Sequence, residues 1–298
     1  MPHHGAFNAG HPKLRVNTHR HLARIAHCLV FFAALAWSSG ALSLSRAEAR
    51  AASDALALRQ HEVAQQLASA TVGRRLWFAG FAMNSTSTAF QGDLELVSKV
   101  LAGLGGPVLR YEHSNPPRRR VLRYPLATPG ALAETLRRIA PQTRAGDVVV
   151  VLISSHGNSQ VISVNVAQKE VAPLTASELA KALEPLGDTP TVVLLSACYS
   201  GSFIPELARD TRIILTAAAA DRPSYGCQVE SRNTFFIEEL FGPDFDSSLS
   251  LWQLAAQGHA RIARHEHELK LEPSDPQISI GSKVRALAER PLKAWFQP

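Results

Sequence analysis

Two short segments of the 298-residue chain hold residue types that can do thiol chemistry. The apolar run Val148–Ser154 (VVVVLIS) leads into Ser155-His156-Gly157, and Thr191–Ser196 (TVVLLS) leads into Ala197-Cys198-Tyr199-Ser200-Gly201. A cysteine attacks as its thiolate, and a neighbouring imidazole lowers the thiol pKa or carries the proton. If both runs are parallel strands of one sheet, His156 and Cys198 emerge over the same edge. The glycine after the histidine lets a substrate carbonyl approach the N–H of Gly157, which with the N–H of Cys198 makes a candidate oxyanion hole. Gly201 permits a tight turn into the next helix. Taken singly, such a cysteine is often a small buried hydrophobe and such a histidine a turn residue. The pairing at two corresponding strand ends makes them a candidate dyad.

A sheet has to hold that pair. Both runs are apolar throughout, the pattern of strands buried on both faces. The stretches 76–83 (LWFAGFAM) and 212–218 read the same way, and Gln277–Ile280 reads as a late short strand. Apolar residues at helical spacing (Leu94, Val97, Leu101, Leu104) predict a helix over 93–104, stopped by Gly105-Gly106, with Asp93 as the favourable charge at its N-terminus. Thr128-Pro129-Gly130 open a helix to about Ala140, and Thr175-Ala176-Ser177-Glu178 cap one over 176–186. Residues 233–241 and 249–270 also read as helical, the second with a packing stripe over 252–269. Residues 161–166 alternate like a hairpin arm, and 113–120 (HSNPPRRR), with Arg118-Arg119-Arg120, read as an exposed basic loop. Apolar strands separated by helices predict an α/β protein with a mostly parallel central sheet flanked by helices, and ligands beyond the carboxyl ends of the strands. The phosphate-binding patterns GxxxxGK[ST] and GxGxxG and the nucleophile elbow GxSxG do not occur.

Composition narrows the class. With 46% hydrophobic and 19% charged residues the chain has material for a core, and three cysteines are too few for a disulfide scaffold. The net charge of +6 is concentrated at the start. Residues 1–50 hold six basic residues and one acid, whereas the rest holds 25 basic and 24 acidic residues. A body so near neutrality has no electrostatic footprint for nucleic acid. A basic stretch to Arg24, the apolar run Cys28–Trp37 and small residues to Leu44 have the layout of a secretory signal, with Ala47-Glu48-Ala49 as a cleavage site, or of an uncleaved anchor through residues 22–44. Either reading exports the body to the periplasm or holds it outside the inner membrane. Residues 51–72 then read as a linker helix, and 73–298 as the working domain.

Other polar residues have plainer readings. Cys227 either pairs with Cys198 in an oxidising compartment or is a thiol near the site. Asp221 and Arg222 follow a strand at the active edge, as an ion pair shaping a pocket. His265 and His267, two apart on a helix, do not share a face and read as surface. No metal site or organic cofactor is signalled.

The boxes around these residues resemble the legumain family of cysteine peptidases, within the caspase-like clan and in its bacterial branch. The matching segments are 148–158 (VVVVLISSHGN), 191–203 (TVVLLSACYSGSF), 213–227 (IILTAAAADRPSYGC), 233–241 and 273–281, within 76–281. The resemblance implies a caspase-like three-layer sandwich and an exported cysteine endopeptidase. Cys198 would attack a peptide carbonyl, His156 protonate the leaving amine, and the amides of Gly157 and Cys198 hold the oxyanion. Transfer to an amine instead of water, or a catalytically silent binding module, are the alternatives. It further implies an Asn or Asp preference, with a peptide or protein as substrate. Family members carry an acidic pocket residue two positions before the cysteine, where this chain has Ser196. Glu230 occupies the place of another acidic pocket residue, and Asn84 that of an asparagine contacting the histidine.

Overall fold

The computed structural model describes residues 46–70, 73–115 and 123–297, all within the unit Ser39–Pro298. The expectations for residues 22–44, for Cys28 and for Arg118-Arg119-Arg120 fall outside the described residues. In chain order the main elements are α1 (Arg46–Ser69), β1 (Leu76–Ala82), α2 (Ala89–Ala102), β2 (Val108–Ser114), α3 (Pro129–Ile139), β3 (Val148–Ser154), α4 (Ala176–Leu183), β4 (Thr191–Ser196), β5 (Arg212–Thr216), α5 (Phe235–Phe241), α6 (Leu251–Glu268) and β6 (Gln277–Ile280).

The six strands form one sheet in the order β6-β5-β4-β3-β1-β2. All neighbours are parallel except β5 with β6. The apolar runs are sheet-forming because both faces are covered. Odd-numbered residues of β3 and β4 (Val149, Val151, Ile153, Val193, Leu195) pack with α3 and α4, while even-numbered ones (Val148, Val150, Leu152, Val192, Leu194) pack with α2, α5 and α6. This is the three-layer α/β architecture expected of the sequence, and it is consistent with a caspase-like fold. The order reverses at β1, so the carboxyl ends of β1 and β3 flank a switch point where such sheets bind ligands.

Helix starts follow local chemistry. The Thr128 side chain accepts from the Ala131 N–H at the head of α3, and Thr175 and Glu178 form a reciprocal capping box on α4. Three segments differ from the sequence reading. Helix α2 begins at Ala89, not at Asp93, so Asp93 lies a full turn inside it. Strand β2 has no counterpart in the sequence reading, and His113 and Ser114 complete it rather than opening a loop. It is an edge strand carrying Arg110 and Glu112, and α1 covers it with Val63 buried and Arg59 paired to Glu112 at 3.0 Å. The arm after β3 is a set of two-residue strands, not one alternating strand.

The amino ends of β1 and β3 are tied by a buried ion pair. Arg75 and Asp147 are both 1% exposed, with Arg75 Nη2 donating to Asp147 Oδ2 at 2.6 Å. Trp77 Nε1 and the Arg144 N–H donate to the same oxygen at 3.0 Å. Burial pushes the Asp147 carboxyl up, but the bonds from Arg75, Trp77 and Arg144 outweigh it and hold it below the usual range. Asp147→Ala is expected to lower stability by about 3–5 kcal/mol in urea unfolding, because Arg75 is left buried and uncompensated.

Candidate active site

Register places the two chemistry-bearing residues over the same sheet edge. Ser154 is the partner of Ser196, and the Ser155 N–H continues the ladder to the Ser196 carbonyl at 3.1 Å. His156 and Cys198 each lie two residues beyond that pair, so strand alternation carries both to the α2 face of the same edge. Both are partly exposed. After Cys198 the chain turns sharply away. Tyr199 is left-handed at φ 56°, and its N–H bonds the Arg222 carbonyl at 2.8 Å. Gly201 is required there, since a Cβ would lie 2.7 Å from the Ala220 nitrogen. Gly157 has a reason the sequence reading did not contain. A Cβ on it would stand 2.7 Å from the Cys198 carbonyl oxygen, so the histidine segment packs its main chain directly on the cysteine segment.

The His156 ring is held from the β1–α2 loop. Its Nε2 is 3.1 Å from the Thr86 hydroxyl, which donates to Asn84 Oδ1 at 2.7 Å. Asn84 Nδ2 in turn donates to Ser163 Oγ at 2.9 Å, and Ser163 Oγ donates to Glu170 Oε2 at 3.1 Å. Asn84, expected to touch the histidine, therefore reaches it through Thr86. Phe90 packs edge-on against the ring with centroids 4.9 Å apart. Burial pushes His156 below its usual pKa, and the Glu170 carboxylate opposes this.

The Cys198 sulfur lies against Ser224. The Ser224 N–H donates to Sγ at 3.3 Å and its hydroxyl approaches at 3.7 Å, while the thiol donates to the Ser224 carbonyl at 3.4 Å. Cys198 and Cys227 are both free thiols. Burial raises the Cys227 pKa, with Cys198 and Asp93 adding to the effect, so Cys227 is a neighbour of the site. Thr86 and Ser224 were not singled out from the sequence. Ser224 lies inside the quoted box 213–227, whereas nothing in the local pattern marks Thr86.

The other expected pocket residues spread out. Ser196 is 1% exposed, and its hydroxyl is bonded to Asp93 Oδ2 at 3.2 Å and to the Thr234 hydroxyl at 2.8 Å. It is a buried strut rather than an open pocket wall. Asp221 and Arg222 form an exposed contact of 3.9 Å, and Glu230 is exposed. The surface reading of His265 gives way to a fuller one: its ring stacks on Phe235 at 4.1 Å and lies 3.4 Å from Glu239. Asp93 is the largest correction. It is 0% exposed and turns inward to the ends of β3 and β4, because its position a turn inside α2 lies on the apolar stripe facing the sheet.

A mostly parallel sheet between helical layers, with a histidine and a cysteine at adjoining carboxyl ends, defines an α/β protein of caspase-like architecture. Residues 135–249 match the model of the peptidase C13 family, so this segment is similar to the legumain-type cysteine peptidases. His156, Gly157 and Cys198 lie inside the matched segment, and Asn84 and Asp93 lie before it. No curated protein sequence matches the chain. Gly157→Ala is expected to keep the far-ultraviolet circular dichroism of the parent while slowing alkylation of Cys198 by about tenfold or more, since the new methyl must displace the Cys198 carbonyl.

Proposed function

We propose that the chain is an exported cysteine endopeptidase of the legumain type, using Cys198 as nucleophile and His156 as general acid and base. The observation that carries this reading is the shared register of two partly exposed residues beyond Ser154 and Ser196. The Cys198 thiol gives its proton to His156, the resulting thiolate adds to the peptide carbonyl carbon, and the oxyanion is met by the N–H groups of Gly157 and Cys198. The carbon–nitrogen bond breaks as His156 gives its proton to the leaving amine, leaving a thioester on Cys198. His156 then takes a proton from water, which attacks the thioester and restores the thiol. Before attack, the Ser224 N–H and hydroxyl stand where they favour the thiolate.

Preference for Asn or Asp at the cleaved bond belongs to the same reading. With Ser196 buried, the pocket wall two residues before Cys198 carries no exposed carboxylate, and Glu230 and Asp221 on the exposed loop after β5 are the candidate anchors for an amide side chain. The basic and apolar pattern within residues 1–50 supports a periplasmic or inner-membrane-tethered location, the tether lying in residues 22–44.

Cys198→Ala and His156→Ala are each expected to lower peptide turnover on the order of 10⁴-fold or more. Thermal stability should stay within about 1 kcal/mol for Cys198→Ala, because a partly exposed strand-end thiol carries little of the core. A peptide-library cleavage profile checks the preference, and product analysis with an added amine separates hydrolysis from transfer. Unchanged turnover in Cys198→Ala would overturn the reading.

The pH dependence has a definite sign. Glu170 raises the His156 pKa against the lowering effect of burial. Glu170→Gln is therefore expected to move the His156-dependent limb of the kcat/KM profile to lower pH than in the parent.

A further inference from the structure

A carboxyl taken wholly out of water usually has a cation beside it. Asp93 instead has hydroxyls and amides, and they come from three separate chain segments. Its Oδ2 accepts from Ser154 Oγ at 2.7 Å as well as from Ser196 Oγ, the side chains two residues before His156 and Cys198 on the same sheet face. The Thr234 hydroxyl donates to Oδ2 and the Thr234 N–H to Oδ1, each at 2.9 Å, and Asn233 Nδ2 reaches Oδ1 at 3.4 Å. Thr234 caps α5. The next N–H, that of Phe235, bonds the Tyr225 carbonyl at 3.1 Å, adjoining the Ser224 that meets the sulfur. Gly226, at φ 89°, is demanded by this closeness, for a Cβ would lie 2.5 Å from the Phe235 nitrogen. At 0% exposure Asp93 touches no substrate.

Resting on the peptidase reading above, we propose that Asp93 is a positioning residue whose carboxyl sets the relative placement of His156, Cys198 and Ser224, and through its bonding pattern the reactivity of the thiol. Burial pushes the carboxyl up from 3.8 to about 7, against the bonds from Ser154, Thr234 and Asn233 that hold it down. The groups bonded to it from β3, β4 and the α5 cap are uncharged, and its titratable neighbour is Cys227. When ionised, the carboxyl accepts from Ser154, Thr234 and Asn233, and the single Ser196 proton is shared between it and the Thr234 hydroxyl. When protonated, it donates to one hydroxyl oxygen and that hydroxyl must turn. The folded chain thus holds a proton that the unfolded chain releases, so stabilisation from this group is full below 3.8 and is lost as pH rises through about 7.

The test is site-resolved alkylation of the full chain by iodoacetamide at about pH 6 and about pH 8, on either side of the Asp93 transition, with added glutathione as the reference thiol. Asp93→Ala, if it keeps its circular dichroism, is expected to slow Cys198 labelling roughly 10-fold to 100-fold at both pH values. Asp93→Asn mimics the protonated carboxyl in shape. It should label within about threefold of the parent at the lower pH and depart from it by more than about threefold at the higher pH, where only the parent ionises. A merely structural role would not produce that pH-selective difference. A folded Asp93→Ala labelled at the parental rate overturns the proposal. If Asp93→Ala does not fold, Asp93→Asn decides, and a profile identical to the parent at both pH values overturns it. Parental Cys198 that labels no faster than the added glutathione, with no dependence on His156, would instead overturn the peptidase reading itself.

Discussion

Everything at the candidate site depends on the register between two adjacent parallel strands. From Val149 opposite Thr191 to Ser154 opposite Ser196 the pairing runs without a bulge. Because side chains alternate with a period of two, a slip by one residue would send either His156 or Cys198 to the α3 and α4 face. The apolar side chains favour this register only collectively, since Val and Leu on neighbouring strands are nearly interchangeable. Polar groups at the carboxyl end, Ser154 and Ser196 on one carboxyl, make it specific.

Two buried carboxyls of opposite character fasten β3 to its neighbours, Asp147 to β1 at the amino end and Asp93 to β4 at the carboxyl end. Asp147 at the amino end meets a guanidinium and an indole N–H and is held ionised. Asp93 at the carboxyl end meets hydroxyls and amides, with no cation among its described partners to offset its desolvation, and is pushed toward neutrality. A guanidinium at the active rim would place a fixed positive charge under the thiol and imidazole. Hydroxyls satisfy the same carboxyl without adding one. The cost appears as a group whose charge state changes near neutral pH.

Backbone geometry shapes the rim as much as the side chains do. Tyr199 in the left-handed region turns the chain immediately after Cys198, and the close approach of residues 218–220 leaves Gly201 no room for a side chain. Gly157 lies against the Cys198 carbonyl in the same way. The thiol is therefore carried on a short, tightly packed turn rather than a free loop. Such a turn limits the motions that would separate it from His156.

The sequence by itself determined the strands that are buried on both faces, the α/β class, the capped helices at Thr128 and Thr175, and the placement of His156 and Cys198 just past two strand ends. Continuous β-branched runs and side-chain caps are local, and their physics is complete within a few residues. It did not reveal β2, whose Arg110 and Glu112 interrupt the apolar pattern and are tolerated only because Ser98, α1 and the sheet edge receive them. Nor could it assign Thr86, Ser224 or Asp93. Each acts on a residue far along the chain, and its role exists only once the sheet has brought β1, β3, β4 and the α5 cap to one edge. The tertiary structure decided that Asp93 faces inward and Ser196 is buried, because hydrogen-bond partners and desolvation are set by which segments meet in space.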